Sequence, residues 1–361
     1  MTIKIPAHYG YDSDKLSALE AITEAQKIAF APMLFQAAVN LRDQGILAYL
    51  DQQGKKGAAF DEVLAASPLS SYATELLLDV GMSVHLLYLN DGRYYLGKAG
   101  YYLLHDKMTR INMDFTQDVC YQGLAALRES LQETRPAGLA VFGQWDTIYP
   151  ALSSLPEPAR SSWFAYDHFY SDAAFGAALP HVFALKPAHL YDVGGNTGKW
   201  SLRCCAYDPD VQVTILDLPQ QITLAESNIA EKGLSHRIKG HPVNLLGDAP
   251  LPGEADVWWM SQFLDCFSEE QIIAILSKIH AAAKPDARVC ILETLWNCQQ
   301  FEAGALSLNA SSLYFTAMAN GNSRFYSAEA FDRCIQAAGF EIEKRVDGLG
   351  LGHSLMICRK K

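Results

Sequence analysis

Leu190-Tyr191-Asp192-Val193-Gly194-Gly195-Asn196-Thr197-Gly198-Lys199-Trp200 reads as a buried strand, a glycine-dense turn and the opening of a helix. A second strand, Val213-Thr214-Ile215-Leu216-Asp217, follows and ends in a carboxylate. Gly194, Gly195 and Gly198 permit backbone angles and close approaches that a Cβ would block. Asn196 between them is the non-glycine type that best tolerates a left-handed conformation. Asp217 lies 25 residues after Asp192, where a strand-helix-strand unit sets an acid within reach of two ribose hydroxyls. The unit is expected to hold an adenosine.

Two carriers of that adenosine compete. A dinucleotide site calls for G-x-G-x-x-G, so that a pyrophosphate rests on the helix N-terminus. Here the order is Asp192-x-Gly194-x-Asn196-x-Gly198. An acid two residues ahead of the first glycine repels a pyrophosphate and suits the ammonium of a methionine moiety, which favours S-adenosylmethionine over NAD. The plain alternative, a tight strand-to-helix turn without a ligand, leaves Asp217 as a coincidence.

Half of the 361 residues are hydrophobic, enough for two domains and a large core. A net charge of −11 argues against nucleic acid or an anionic membrane as the main partner. No apolar run reaches about 18 residues, and Met1-Thr2-Ile3-Lys4 lacks the apolar region of a signal peptide, so a cytoplasmic location is expected. The eight cysteines include no C-x-x-C pair, which fits buried thiols in a reducing compartment. The ten histidines show no H-x-x-x-H or H-E-x-x-H spacing, and no metal site is expected.

From about Ser17 to Asp51 apolar residues recur at helical spacing, with a break at Gly45. Helical segments follow around Asp61–Leu64 and Tyr72–Val84. Leu86-Leu87-Tyr88-Leu89 and Arg93-Tyr94-Tyr95-Leu96 flank Asn90-Asp91-Gly92 as a β-hairpin. Helices followed by a hairpin form the pattern of a winged helix. Its charges oppose DNA binding, because no lysine or arginine falls between Lys56 and Arg93 while five acids do. A packing or dimerisation module is expected instead. Further helix, rich in aromatics from Trp163 to Tyr170, extends to about His189.

Beyond Leu190 strands and helices alternate. Strands are predicted at 190–193, 211–217, 238–244, 255–263, 287–292, 341–347 and 353–358, with helices at 220–232 and 269–282. This pattern predicts an α/β fold, a Rossmann-like and mostly parallel seven-stranded sheet. The last two strands are joined only by residues 348–352, too few for a parallel crossover, so the final strand should run antiparallel.

These features resemble the two-domain O-methyltransferases that include plant caffeate and hydroxyindole enzymes and many bacterial relatives. The likeness spans nearly the whole chain. It implies a winged-helix dimerisation domain over 1–110 forming a homodimer, a helical linker bordering the active site over 111–185, and an S-adenosylmethionine-binding domain over 186–361. The glycine turn resembles the family's D-V-G-G-G-T-G, with Asn196 for the middle glycine, and Asp217-Leu218-Pro219 resembles its ribose-binding D-L-P. Asn244-Leu245 falls where the family has an Asp-Met pair whose acid contacts adenine; an amide retains an acceptor for the adenine amino group. Ser261 stands where plant members place a lysine near the cofactor.

The departure lies at the catalytic centre. The family pattern L-H-D-W-S-D-E-E carries a histidine as general base, whereas this chain reads Leu264-Asp265-Cys266-Phe267-Ser268-Glu269-Glu270. Asp265 thus stands in the histidine's place. Glu293 matches one of two glutamates flanking that histidine in plant members, and the other falls at about Ser323. An ordinary aspartic acid has a pKa about 2.6 units below imidazole, roughly 3.5 kcal/mol less proton affinity. Burial beside Glu293 would raise it. Alternatively Asp265 solvates the loop before a capping box at Ser268-Glu269-Glu270-Gln271. His168 is a candidate substrate contact or displaced base, against the plainer reading of a packed core histidine.

The reading is an S-adenosylmethionine-dependent methyltransferase acting on a hydroxyl of a small aromatic or phenolic molecule. The alternatives are an N-methyltransferase, a relative that binds the cofactor without methylating, as in cofactor-assisted hydroxylation, and a metabolite-sensing winged-helix protein.

Overall fold

The computed structural model describes residues 3–361, the side chain of Asp172 apart. The chain divides into two compact units, Ser13–Asp118 and the remainder.

The smaller unit comprises α1 (Ala18–Ala29), α2 (Ala31–Asp43), α3 (Ile46–Gln53), α4 (Phe60–Ala66), α5 (Ser71–Ser83), the hairpin β1 (Leu87–Asn90) and β2 (Arg93–Leu96), α6 (Lys98–His105) and α7 (Lys107–Phe115). The expected hairpin forms around Asp91 and Gly92, both at positive φ, the backbone that a two-residue turn needs to follow the strand twist. The periodic run ahead of it is interrupted twice rather than once. Gly45 breaks it at φ +80°, and a second break falls at Phe30, because Pro32 sits in the first turn of α2 and cannot continue α1. Leu41, Leu47, Leu50, Leu78 and Leu87 close the core of this unit.

The larger unit includes residues 3–12 as well as Val119–Lys361, rather than starting at the segment expected near 186. The Tyr9 hydroxyl donates to the Gln299 carbonyl at 2.6 Å, and the Lys4 backbone N–H donates to the Glu329 carboxylate at 2.9 Å. Nor do residues 119–185 form a separate linker. They include α8 (Leu127–Glu133) and α9 (Ala159–Phe183), and Ala174, Ala178 and Val182 of α9 pack into the core under the sheet. Helix α9 stops short of the expected 189, because Pro187 bars helical geometry at the residue before it and Lys186 turns to φ +53°.

The sheet contains β3 (His189–Val193), β4 (Gln212–Asp217), β5 (Ile238–Pro242), β6 (Val257–Ser261), β7 (Arg288–Glu293), β8 (Phe340–Leu349) and β9 (His353–Lys360), in the spatial order β5-β4-β3-β6-β7-β9-β8. Pairs from β5 through β7 are parallel, while β9 runs antiparallel to both its neighbours. Between the strands come α10 (Lys199–Tyr207), α11 (Pro219–Glu231), α12 (Glu269–Ala282), α13 (Glu302–Tyr314) and α14 (Ala328–Ala337). The fold is thus the expected Rossmann-like seven-stranded sheet with its reversed final strand.

Both faces of the sheet are covered, so successive residues of a strand enter different cores. Tyr191, Trp258, Ile291 and Met356 face α12 and α14, whereas Leu190, Trp259, Cys290 and Leu355 face α9, α10 and α11. Trp259 stacks on Trp200 of α10 with ring centroids 3.8 Å apart. Trp258 is fully buried, and its indole N–H has no hydrogen-bond partner among the described residues. Trp258→Ala should therefore cost about 3–5 kcal/mol of stability, with Trp258→Phe losing less than half of that. Urea unfolding of the larger unit checks this; equal losses would show that the nitrogen contributes more than packing.

Candidate active site

Strand order reverses on either side of β3, and in such sheets ligands bind beyond the carboxyl ends of the strands at that point. The glycine turn lies there. Gly194 and Gly198 adopt φ +71° and +80°, with Asn196 at +50°. Gly195 needs no unusual angle but has no room for a side chain: a Cβ would come 2.9 Å from the Asp192 carboxyl and 2.8 Å from Ile215. The turn is tied to the next strand by Asp217, whose Oδ2 accepts from the Asn196 N–H at 2.8 Å while Oδ1 accepts from the Leu218 N–H at 2.7 Å. Burial raises the Asp217 carboxyl against these two bonds. Each oxygen keeps a lone pair for a ribose hydroxyl.

Two cavities meet at the turn. The larger, about 360 Å³, is bordered by Asp217, Leu218, Asn244 and Leu245 on one side and by Tyr149, Trp163, Phe263, Cys266 and Phe267 on the other. Asn244 Oδ1 accepts the Leu246 N–H at 3.0 Å and keeps a second lone pair, beside an amide NH₂ that can donate. The smaller cavity is bordered by Asp192, Gly194, Gly195, Lys199, Ser261 and His168. Asp192 is 2% exposed, and burial pushes its carboxyl up to about 7 although the Ser201 hydroxyl donates to it at 2.6 Å. A cation seated beside it would hold it ionised. The Ser261 hydroxyl is buried without a partner among the described residues. His168 borders this smaller cavity and stacks on Phe164.

Asp265 sits on a single helical turn, Leu264–Cys266, just beyond β6. It is 4% exposed, and burial pushes its carboxyl up to about 7; the Cys266 thiol, 3.5 Å away, opposes the rise and the negative Asp167 adds to it. The carboxyl also meets the backbone N–H groups of Asp265 and Cys266, while Ser268 and Gln271 form the capping box of α12 between themselves. Glu293, 1% exposed at the end of β7, accepts through Oε1 from the Phe263 and Leu264 N–H groups at 3.1 and 3.0 Å. Burial and the nearby Asp265 hold Glu293 well above the usual carboxylate range. Its Oε2 has no partner among the described residues. Glu293 therefore positions the turn that carries Asp265. Ser323 supplies no second carboxylate; its hydroxyl accepts from the Asn320 amide at 2.8 Å, and that amide also donates to the Cys266 carbonyl at 2.7 Å.

Sequence reasoning passed over two residues here. Asp167 and Gln262 border both cavities. Gln262 has a left-handed backbone, φ +44°, and its Oε1 lies 3.2 Å from Nε2 of His353, a fully buried imidazole that burial pushes down to about 4. Neutral His353 thus donates to the Gln262 side chain. The available signal for Asp167 was a lone carboxylate within the aromatic stretch Trp163–Tyr170.

Residues 175–341 match the O-methyltransferase domain family, and residues 23–94 match the Dimerisation2-like domain. The chain is 27% identical to the L-tyrosine C(3)-methyltransferase of Streptomyces lavendulae over 315 residues, 85% of each chain. It is also 27% identical to the N,N-dimethyltransferase OxyT of Streptomyces rimosus over 66% of this chain and 68% of that one. The solved structure of the S-adenosylmethionine-dependent methyltransferase SibL has the same fold, with a TM-score of 0.72 at 23% identity over 94% of this chain and 99% of that one. The chain thus carries an O-methyltransferase domain together with a Dimerisation2-like domain and is an S-adenosylmethionine-dependent methyltransferase.

The site fits that cofactor: a turn that excludes a Cβ, a carboxylate for the ribose and a buried acid for the methionine ammonium. Both oxygens of Asp217 accept backbone N–H bonds, so an amide there must turn its NH₂ against one of those donors. Asp217→Asn should weaken S-adenosylhomocysteine binding by about 1–3 kcal/mol, roughly 5- to 150-fold. Titration calorimetry measures this, and unchanged affinity would remove Asp217 from the site.

Proposed function

We propose that this chain methylates the hydroxyl of a small aromatic acceptor, with Asp265 removing the hydroxyl proton and Glu293 holding the turn beneath it. S-adenosylmethionine supplies an electrophilic methyl group carried on a sulfonium. The protein's part is to align the acceptor and take its proton. Tyr149, Trp163, Phe263 and Phe267 offer flat apolar walls for a ring. The observation that carries the proposal is the burial of Asp265. It raises that carboxyl to about 7, near the ordinary value of the imidazole that the family uses. The proton-affinity deficit of an aspartate is largely removed by its surroundings.

A base must be ionised to act, so turnover should fall as pH drops through about 7, the value to which Asp265 is raised. Asp265→Asn should lower kcat by about 10²–10⁴-fold while S-adenosylhomocysteine still binds. Full activity in that variant, with the same pH profile, would exclude Asp265 as the base.

A second reading has a specific observation behind it, the likeness to a tyrosine C(3)-methyltransferase across 85% of both chains. Removing a phenolic proton also makes the adjacent ring carbon nucleophilic, so the same base would serve methylation at carbon, followed by loss of the ring proton. NMR of the product separates the two readings, since a methoxy group and an aryl methyl differ in carbon shift. The match of residues 23–94 to a dimerisation domain supports a homodimer formed through the smaller unit. Light scattering should give twice the chain mass, and a monomer at micromolar concentration would overturn this.

A further inference from the structure

Among the described residues, Asp167, Gly194, Asn196 and Gln262 border both cavities. Gln262 follows the last residue of β6, and the next residue, Phe263, packs so closely on Gly194 that a Cβ there has no room. Gln262 is thereby held where the cavities meet. Its backbone is left-handed, φ +44°, with its N–H donating to the Leu292 carbonyl at 2.9 Å. That conformation is unfavourable for a residue with a side chain and persists where the surroundings enforce it, often at ligand sites. The side chain is fixed as well. Its Oε1 accepts from Nε2 of His353 at 3.2 Å, and burial keeps that imidazole neutral by pushing it down to about 4. The acceptor half of the amide is thus engaged from within the sheet, and its NH₂ meets no acceptor among the described residues. Beside it the Ser261 hydroxyl borders the smaller cavity, buried and without a partner among the described residues. Buried polar groups are rarely left unpaired, so a bare donor at a cavity marks a place for an acceptor.

The methionine end of S-adenosylmethionine carries two charges, an ammonium and a carboxylate. Asp192 suits the first and repels the second, so the carboxylate requires donors of its own. We propose that the Gln262 NH₂ and the Ser261 hydroxyl receive that carboxylate, with His353 as the positioning residue that decides which half of the amide faces the cavities. Hydrogen bonds from such donors to a carboxylate are charge-assisted and stronger than neutral ones. With the amide reversed, its oxygen would oppose the carboxylate; the imidazole N–H holds that oxygen and prevents the reversal. Lys199 borders the same cavity and adds positive charge to it. The consequence is a cofactor preference. The site reads the carboxylate, and a decarboxylated S-adenosylmethionine, which retains only the amine, loses these contacts. The proposal holds whichever acceptor is methylated.

Three ligands separate the contributions: S-adenosylhomocysteine, its decarboxylated analogue S-adenosyl-3-thiopropylamine, and 5′-methylthioadenosine, which lacks both charges. Calorimetry on the full chain should show Gln262→Met binding S-adenosylhomocysteine about tenfold more weakly, about 1.4 kcal/mol, with the other two ligands within about twofold of the unsubstituted chain. Gln262→Glu keeps an acceptor for His353 but opposes the carboxylate, so its loss should exceed that of Gln262→Met. His353→Leu should weaken S-adenosylhomocysteine alone by about threefold, roughly 0.6 kcal/mol. His353→Gln, which offers an N–H at similar reach, should recover that loss. Retained binding of 5′-methylthioadenosine reports an intact fold in each variant. Unchanged S-adenosylhomocysteine affinity in both Gln262 variants, or equal losses for all three ligands, would overturn the carboxylate assignment. Unaltered binding by His353→Leu would overturn the positioning role of His353.

Discussion

The carboxylate of Glu293 joins the ends of two neighbouring strands. It projects from the last residue of β7 and takes the N–H groups of Phe263 and Leu264, which begin the turn beyond β6. A helical turn leaves its first N–H groups without partners, and a buried acceptor is the means by which this one satisfies them away from water. Phe263, Asp265 and Cys266 inherit their places from that bond. The opposite wall depends on the same turn, since the Tyr326 hydroxyl donates to the Phe267 carbonyl at 2.7 Å and the Asn320 amide to the Cys266 carbonyl at 2.7 Å. A side chain that the resemblance presents as a partner of the base therefore acts first on the backbone.

Around that clasp the site obtains its chemistry from the surroundings rather than from the residue type. Asp192 and Asp265 are both raised to about 7, in each case chiefly by burial. Asp192 borders the smaller cavity beside the glycine turn, whereas Asp265 sits on the turn just beyond β6. Asp217 is also raised by burial, but two backbone N–H groups oppose the rise. The three aspartates thus differ in how many donors each meets and which charges stand near it.

Much of this was legible in the sequence where local rules and tertiary packing agree. The glycine turn, Asp217, the hairpin at Asp91-Gly92, the capping box at Ser268 and the reversed last strand each rest on short-range chemistry. The second break, at Phe30, was equally local and is carried by Pro32. What escaped depends on contacts between distant segments. Asp167 gains its meaning because α9 passes over the sheet between the two cavities. Gln262 depends on His353, 91 residues away. No periodicity or spacing records either relation. The identity of Asp265 was visible in the sequence, whereas its burial was not.

The docking of Lys4 and Tyr9 has a consequence for the order in which the molecule is made. Tyr9 donates to the carbonyl of a residue 290 positions later, and the Lys4 N–H to the carboxylate of a residue 325 positions later. On a chain leaving the ribosome N-terminus first, Lys4 and Tyr9 have nowhere to settle until Glu329 and Gln299 have emerged. The smaller unit, Ser13–Asp118, is complete long before then. Lys4 and Tyr9 are thus synthesised well before the residues that hold them, and the larger unit closes on a segment that has waited for its partners.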